Sequence, residues 1–538
     1  MDYQKIIDSL SEEELIGQLL CYDIYGKNSF EEVDSLFKRV HPGAFFFQDM
    51  DKEKLASFVK IANKNAPLPV LVSCDAEAGP GMAINGEPFL TQEMAWGAAN
   101  DTSLIYEAGV SIGERCRELG ANYNFSPIVD LSLNFEATSV NIRAISDDPN
   151  LVIDIAGAYI KGLQHNGNMA ATIKHFPGEG VDSRNPHFLT TENPMTKEEW
   201  WNTYGKVYKK LIGEGAMSVM VAHSSVPSIE KEKTKHGYLP ACLSKSLITD
   251  VLKGEMGFEG VVVSDALSMI GAASAVDDLN SLAVDFINAG GDLVLFPDDN
   301  DFSNLLNAYR NGVIKKERIY DAVTRILKLK EKLHLLDPSF EVKKESKRSI
   351  EEIGEEIALK AVKIVRNEKG ILPLKLKKGS KVLLVSIFEP YFHRDPTGLE
   401  FSALKEEFLK EGYQIDELFN PDHHQIDKVL NDYDAIIVAS KFGPNNYHGG
   451  TFRVGWYNAM AFWRGYILKH PRLVFVSFGD PYKLYDYPYL ATYVNAFSDT
   501  YPSQRAVTKI LLGKEKERGK NPISFPPYFL RETVSKKH

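Results

Sequence analysis

The chain has 538 residues, 44% hydrophobic and 25% charged, and a formal net charge of -11. It is too long for one ordinary domain and has the balance of a globular protein with a sizeable core. The acidic balance excludes nucleic acid and anionic membrane as main partners, because both need a basic surface, and no run is apolar and long enough to span a bilayer.

The first residues, Met1 to Leu10, mix charges with apolar residues at helical spacing and contain no signal-peptide core. Cys21, Cys74, Cys116 and Cys242 are far apart and form neither a CxxC nor a disulfide-scaffold pattern, so they read as small buried hydrophobes of a reducing, cytoplasmic compartment. Short apolar runs then alternate with amphipathic ones up to about residue 335. Candidate strands are 43–47, 69–73, 121–125, 170–174, 216–221, 261–263 and 292–296. Between them lie helical patterns such as Ile105, Ala108, Ile112, Cys116 and Leu119 on one face. This alternation predicts parallel pairing in an α/β fold, with a TIM-like β/α barrel over 1–335. Seven strands are visible and an eighth is inferred from closure. A charged, aperiodic stretch over 336–350 reads as a linker. Alternation resumes over 351–538, with strands at 382–386, 435–439, 473–477 and 491–495 and helices at 401–411 and 503–512, which predicts a smaller α/β sandwich domain with a central parallel sheet.

Polar groups recur just after these strands. Asp75 and Glu77 follow the second, Asp130 the third, Lys174 and His175 end the fourth, His223 closes the fifth and Asp265 ends the sixth. Any one of them taken alone is better read as a helix cap or a satisfied buried group. Five together would converge at the mouth of a barrel, where Asp75, Lys174, His175 and Asp265 suit a polyhydroxyl ligand. The loop Phe176-Pro-Gly-Glu179-Gly-Val-Asp182-Ser-Arg184-Asn185-Pro-His187 adds groups fit for proton transfer, between glycines that permit positive φ. A proton donor there and a nucleophile at Asp265 would complete a glycosidase pair. The histidines lack a close ligand spacing such as HExxH, so neither metal nor other cofactor is expected.

Lys174-His-Phe-Pro-Gly-x-Gly180, then Gly257-Phe-x-Gly-Val-Val-Val-Ser-Asp265-x-Leu-x-Met269, resembles glycoside hydrolase family 3. Asn124-Phe-Ser-Pro-Ile-Val-Asp130, Arg143-Ala-Ile-Ser-Asp-Asp-Pro149, Met220-Val-Ala-His223, Leu243-Ser244 and Ile371-Leu-Pro-Leu374 match as well, so the resemblance covers roughly 10–525. It implies a retaining exo-glycosidase with Asp265 as nucleophile, and Asp75, Arg143, Lys174, His175 and Met269 gripping the terminal sugar. In the family's β-glucosidases the acid/base is a glutamate from the second domain. In its β-N-acetylglucosaminidases it is a histidine in the loop after Lys-His-Phe-Pro-Gly-His-Gly, and His187 falls at that position with Asn185 where the family has an aspartate.

No Asp or Glu lies between Ala435 and Gly479, which holds the loop Phe442–Gly450, although 389–400 contains carboxylates. An imidazole donates a proton at neutral pH without strong burial, so His187 is favoured as the acid/base, with Asp182 or Glu179 supplying the charge that Asn185 lacks. Glu179 replaces the family's second histidine, and Asp75-Ala-Glu-Ala-Gly-Pro-Gly81 lacks the arginine usual in N-acetylglucosaminidases. The expected substrate is an amino-sugar glycoside, such as a peptidoglycan or chitin fragment, taken by a monomer or homodimer. The alternatives are a β-glucosidase or β-xylosidase with a carboxylic acid/base, a histidine enzyme with phosphate as acceptor, and an inactive sugar-binding protein.

Overall fold

The computed structural model describes residues 1–24, 29–388, 401–441 and 459–532. The loop Phe442–Gly450 and the segment 389–400 lie outside the described residues.

Eight short parallel strands form the first sheet: β1 (Leu20–Asp23), β2 (Ala44–Phe46), β3 (Leu71–Cys74), β4 (Tyr123–Asn124), β5 (Ala170–Phe176), β6 (Ser218–Val221), β7 (Val261–Ser264) and β8 (Val294–Leu295). They pair in the order β8-β1-β2-β3-β4-β5-β6-β7. A bridge between Val263 and Leu293 nearly closes the barrel, with Ser264 N–H donating to Leu293 O. Val261, Val262 and Val263 are stiff at χ1 and fully buried. Each such side chain contributes about 1.5–3 kcal/mol by leaving water. At the barrel's centre Phe46 stacks on Phe125 with ring centroids 5.9 Å apart, and Tyr123 shares a 2.5 Å hydrogen bond with Ser218.

The strand that the sequence pattern missed is β1, not one at the far end. A helix over Glu12–Gly17 precedes it by only two residues, so Leu15, Ile16, Leu19 and Leu20 read as one continuous apolar face. The other seven strands are where the alternation placed them, though β4 and β8 are cut to two residues.

The second sheet comprises β9 (Lys363–Asn367), β10 (Lys381–Phe388), β11 (Gln414–Phe419), β12 (Ala435–Lys441), β13 (Leu473–Ser477) and β14 (Thr492–Asn495), in the order β9-β14-β13-β12-β10-β11. Only β9 is antiparallel to its neighbour. Helices Ser402–Lys410 and Tyr501–Leu511 pack beside it. The two edge strands escaped the sequence reading because edges carry polar residues: β11 alternates exposed and half-buried positions, and β9 is half-buried throughout.

Between the helices Lys316–Lys332 and Ile350–Ala361 the chain runs over the barrel, where the buried carboxylate of Glu114 accepts from the N–H groups of Glu345 and Ser346. A capping box at Ser349 and Glu352 starts the second helix. Its Ile350, Ile353 and Ile357 join the barrel core while Ala358 and Ala361 face the second sheet. The two parts also meet near the barrel mouth. Ser132 and Tyr482 share a 2.8 Å hydrogen bond, and Phe135 packs between Tyr485 and Phe525.

Candidate active site

The carboxyl ends of β3, β5, β6 and β7, with the loop after β4, bring the predicted polar groups to one mouth. Lys174, on β5, is buried, and its Nζ lies 2.8 Å from Asp75 Oδ1 and 2.6 Å from Glu77 Oε1. Glu77 in turn accepts a bidentate pair from Arg143, at 3.0 and 2.8 Å. Burial opposes charge on Lys174, Arg143 and Glu77. The attraction of Asp75 and Glu77 nonetheless raises the pKa of Lys174, that of Glu77 raises Arg143, and the two cations hold Glu77 well below the usual carboxylate range. Asp75, Arg143 and Lys174 are therefore brought together as a rigid charged wall. Glu77, which had been given no role, is its hub. No local pattern marked it, because it lies in the turn beyond β3 and its role depends on Arg143 folding onto it.

His175 Nδ1 donates to Asp130 Oδ2 at 2.7 Å. Asp130 also receives the backbone N–H groups of His175 and Glu179. Although burial opposes it, the Asp130 charge raises the pKa of the imidazole. Asp130 fixes the ring's tautomer and direction, a supporting role.

Asp265 follows β7, its N–H bonded to Val221 O and its Oδ1 accepting from Ala266 N–H at 2.8 Å. Burial works against its charge, yet the facing imidazoles of His223, His175 and His187 hold its carboxyl below the ordinary range. His223 lies under this turn: Nε2 donates to Ala266 O at 2.9 Å, and Nδ1 faces Cys242 Sγ at 3.2 Å. It anchors the backbone just beyond Asp265. Met269, half-buried, closes the same turn with its N–H on Ala266 O.

Loop 177–187 is fixed at both glycines. Gly178 and Gly180 have φ of 113° and 101°, and a Cβ on either would stand 2.0 Å from Tyr204's ring or Leu131 O respectively. Between them Glu179 points inward and accepts from Ser139 Oγ at 3.0 Å. Burial, with Asp130 and Asp265 nearby, pushes its carboxyl up to about 7 against the pull of His175. Asp182 is held by Arg184 and by the N–H of Glu192. Asn185 Oδ1 accepts from both His187 N–H and Nδ1, at 3.0 and 2.8 Å, so Nδ1 carries the proton. Nε2 is then the atom at which the neutral ring accepts and the charged ring donates. Burial pushes the His187 pKa down to about 4, in spite of Asp265. The partner that orients His187 is thus Asn185, while Asp182 serves Arg184.

Asp130, His175 and Glu179 place their ligand atoms within 4.8 Å of one another. Asp130 is already the acceptor of three N–H groups there, the bonding of a proton-sharing set rather than of a ligand cage.

The chain is similar along most of its length to known proteins. The family model "Glycosyl hydrolase family 3 N terminal domain" matches residues 12–329. A beta-N-acetylglucosaminidase/beta-glucosidase of Cellulomonas fimi is 30% identical over 96% of this chain and 94% of its own. Among solved structures, a beta-glucoside phosphorylase, BglX, bound to 2FGlc superposes with a TM-score of 0.87 at 27% identity, covering 97% of this chain and 95% of that one. A family 3 beta-N-acetylglucosaminidase from Paenibacillus sp. str. FPU-7 superposes with a TM-score of 0.84 at 26% identity, over 98% of this chain and all of the other. The chain is a glycosidase and belongs to glycosyl hydrolase family 3.

Proposed function

We propose that the protein is a retaining, exo-acting hydrolase that releases a terminal β-linked sugar, N-acetylglucosamine before glucose, through a glycosyl–aspartate intermediate. The observation that carries this reading is Asp265, an ionised carboxylate on a turn braced by His223, with three imidazoles around it. In the first step Asp265 attacks the anomeric carbon and the leaving oxygen takes a proton from His187 Nε2. In the second, water bonds to the anomeric carbon and gives a proton to His187 as base, while the sugar–aspartate bond breaks and frees Asp265 as a carboxylate. Asp75, Arg143, Lys174 and His175 are proposed to hold the sugar hydroxyls, with Met269 against the ring. Glu179 and Asn185 tune the two histidines. Residues 1–335 are proposed as the catalytic domain, 336–350 as linker and 351–538 as the second domain. The free, buried cysteines favour a cytoplasmic setting.

The names of the Cellulomonas fimi and Paenibacillus relatives support the amino-sugar choice. The test is a panel of nitrophenyl glycosides. Preference for β-GlcNAc over β-glucoside is expected, and the reverse ranking overturns the sugar assignment.

One observation favours a second acceptor. His187 is held neutral and is oriented by an amide, so it presents no negative charge to an incoming anion. Phosphate is then a competent acceptor in the second step, in keeping with the phosphorylase among the similar structures. Sugar 1-phosphate formed in phosphate buffer supports this reading; free sugar alone, at an unchanged rate, excludes it.

A further inference from the structure

His175 faces two carboxyl groups, not one. The ligand atoms of Asp130, His175 and Glu179 all lie within 4.8 Å of one another, and all three residues are buried. The two carboxyls are not equivalent. Asp130 accepts from the imidazole and from two backbone N–H groups, while Glu179 accepts from the Ser139 hydroxyl. Repulsion between carboxylates this close leaves the proton on the less solvated one. Glu179 stands on a fixed backbone. Its N–H is on Asp130, its carbonyl takes the Tyr204 hydroxyl, and the glycines on either side have no room for a side chain.

The other titratable and charged groups around it are Asp265 from β7, Arg143 from the loop that carries Ser139, and Tyr204 and Tyr208 from the helix Tyr204–Gly213. On its outer side a cavity of about 10 Å³ reaches Asp182, Arg184 and Glu192 and is lined by the partnerless buried hydroxyl of Ser224. That is room for about one water, and a path for proton exchange.

We propose that Glu179 is a positioning residue that keeps His175 in its charged form as pH rises: it loses its proton to solvent as the medium becomes basic, and the new negative charge retains the imidazolium proton. His175 then remains a charged donor to a sugar hydroxyl where Asp130 alone would let it become neutral. This deepens the reading of the site and rests on His175 gripping the sugar.

The experiment compares KM across about pH 6 to 8.5, the range in which an imidazole titrates, for wild type, Glu179→Gln and His175→Gln, with whichever aryl glycoside wild type cleaves. Wild-type KM is expected to stay flat. Glu179→Gln should match it at low pH and rise about fivefold toward high pH, the difference between a charged and a neutral hydrogen-bond donor. A profile superimposable on wild type overturns the inference, and so does a KM raised equally at every pH, which is what a merely structural role predicts. If His175→Gln leaves KM unchanged, the sugar-binding reading of His175 falls and takes the inference with it. If His175→Gln raises KM while Glu179→Gln behaves as wild type, only the inference falls.

Discussion

Asp480 Oδ1, just beyond β13 in the second sheet, accepts from Asn141 Nδ2 at 3.3 Å. Asn141 sits in positive φ, two residues before Arg143, and Arg143 Nη1 donates to Ser139 O. The second part of the chain therefore clamps the short turn from which Arg143 reaches the charged wall and Ser139 reaches Glu179. Asn141→Asp keeps the size and the tolerance of positive φ but sets two carboxylates against each other. The expected result is a KM raised about tenfold, with kcat nearly unchanged, for a loss of about 1.4 kcal/mol in positioning. An unchanged KM would mean that this contact does not place Arg143.

The proposed role of His187 as proton donor matters in proportion to how poor the leaving group is. His187→Ala should lower kcat/KM for an unactivated disaccharide by about 10²–10⁴, the usual worth of general acid catalysis. For a dinitrophenyl glycoside, which leaves unaided, kcat/KM should change little. Equal losses on both substrates would assign His187 to binding instead.

The pH profile follows from the same group. The free-enzyme pKa of His187 is pushed down to about 4, so the ring is mostly neutral above that and the donor form becomes scarcer as pH rises. For the disaccharide, kcat/KM is expected to fall with rising pH above that point. For the dinitrophenyl glycoside, which needs only ionised Asp265, it is expected to rise through the Asp265 titration and then stay level. Identical profiles for the two leaving groups would remove His187 from the acid role.

Gly180 is required by geometry. Gly180→Ala would put a methyl 2.0 Å from Leu131 O at a φ of 101°. Backbone strain and the clash each cost about 1–3 kcal/mol, so a lower Tm and weakened activity are expected. Wild-type values for both would show that the loop is not pinned there.

Much of the site was legible because β/α barrels put reacting groups at strand ends, and the alternation located β5, β6 and β7 directly. Glu77 was in view but silent. A buried carboxylate beside two cations is recognisable only once Arg143, more than sixty residues away in sequence, is folded onto it. His223 was read as a strand-end group, whereas its partners are Cys242 and a backbone carbonyl, contacts that no local pattern encodes. Asp182 illustrates the converse. Its place in the loop suggested a partner for His187, but its carboxylate is held by Arg184, two residues on. In the fold, β1 was hidden by an adjoining helix of the same apolar character, and β9 and β11 by the polarity that sheet edges carry.

The account turns on Asp265 as the nucleophile, and covalent trapping tests it most directly. Incubation with an activated fluoro-sugar, whose glycosyl–enzyme intermediate forms but hydrolyses slowly, followed by peptide mass spectrometry, should find the sugar on Asp265 and no adduct in Asp265→Asn. A sugar attached to any other residue, or full turnover by Asp265→Asn, would contradict the account.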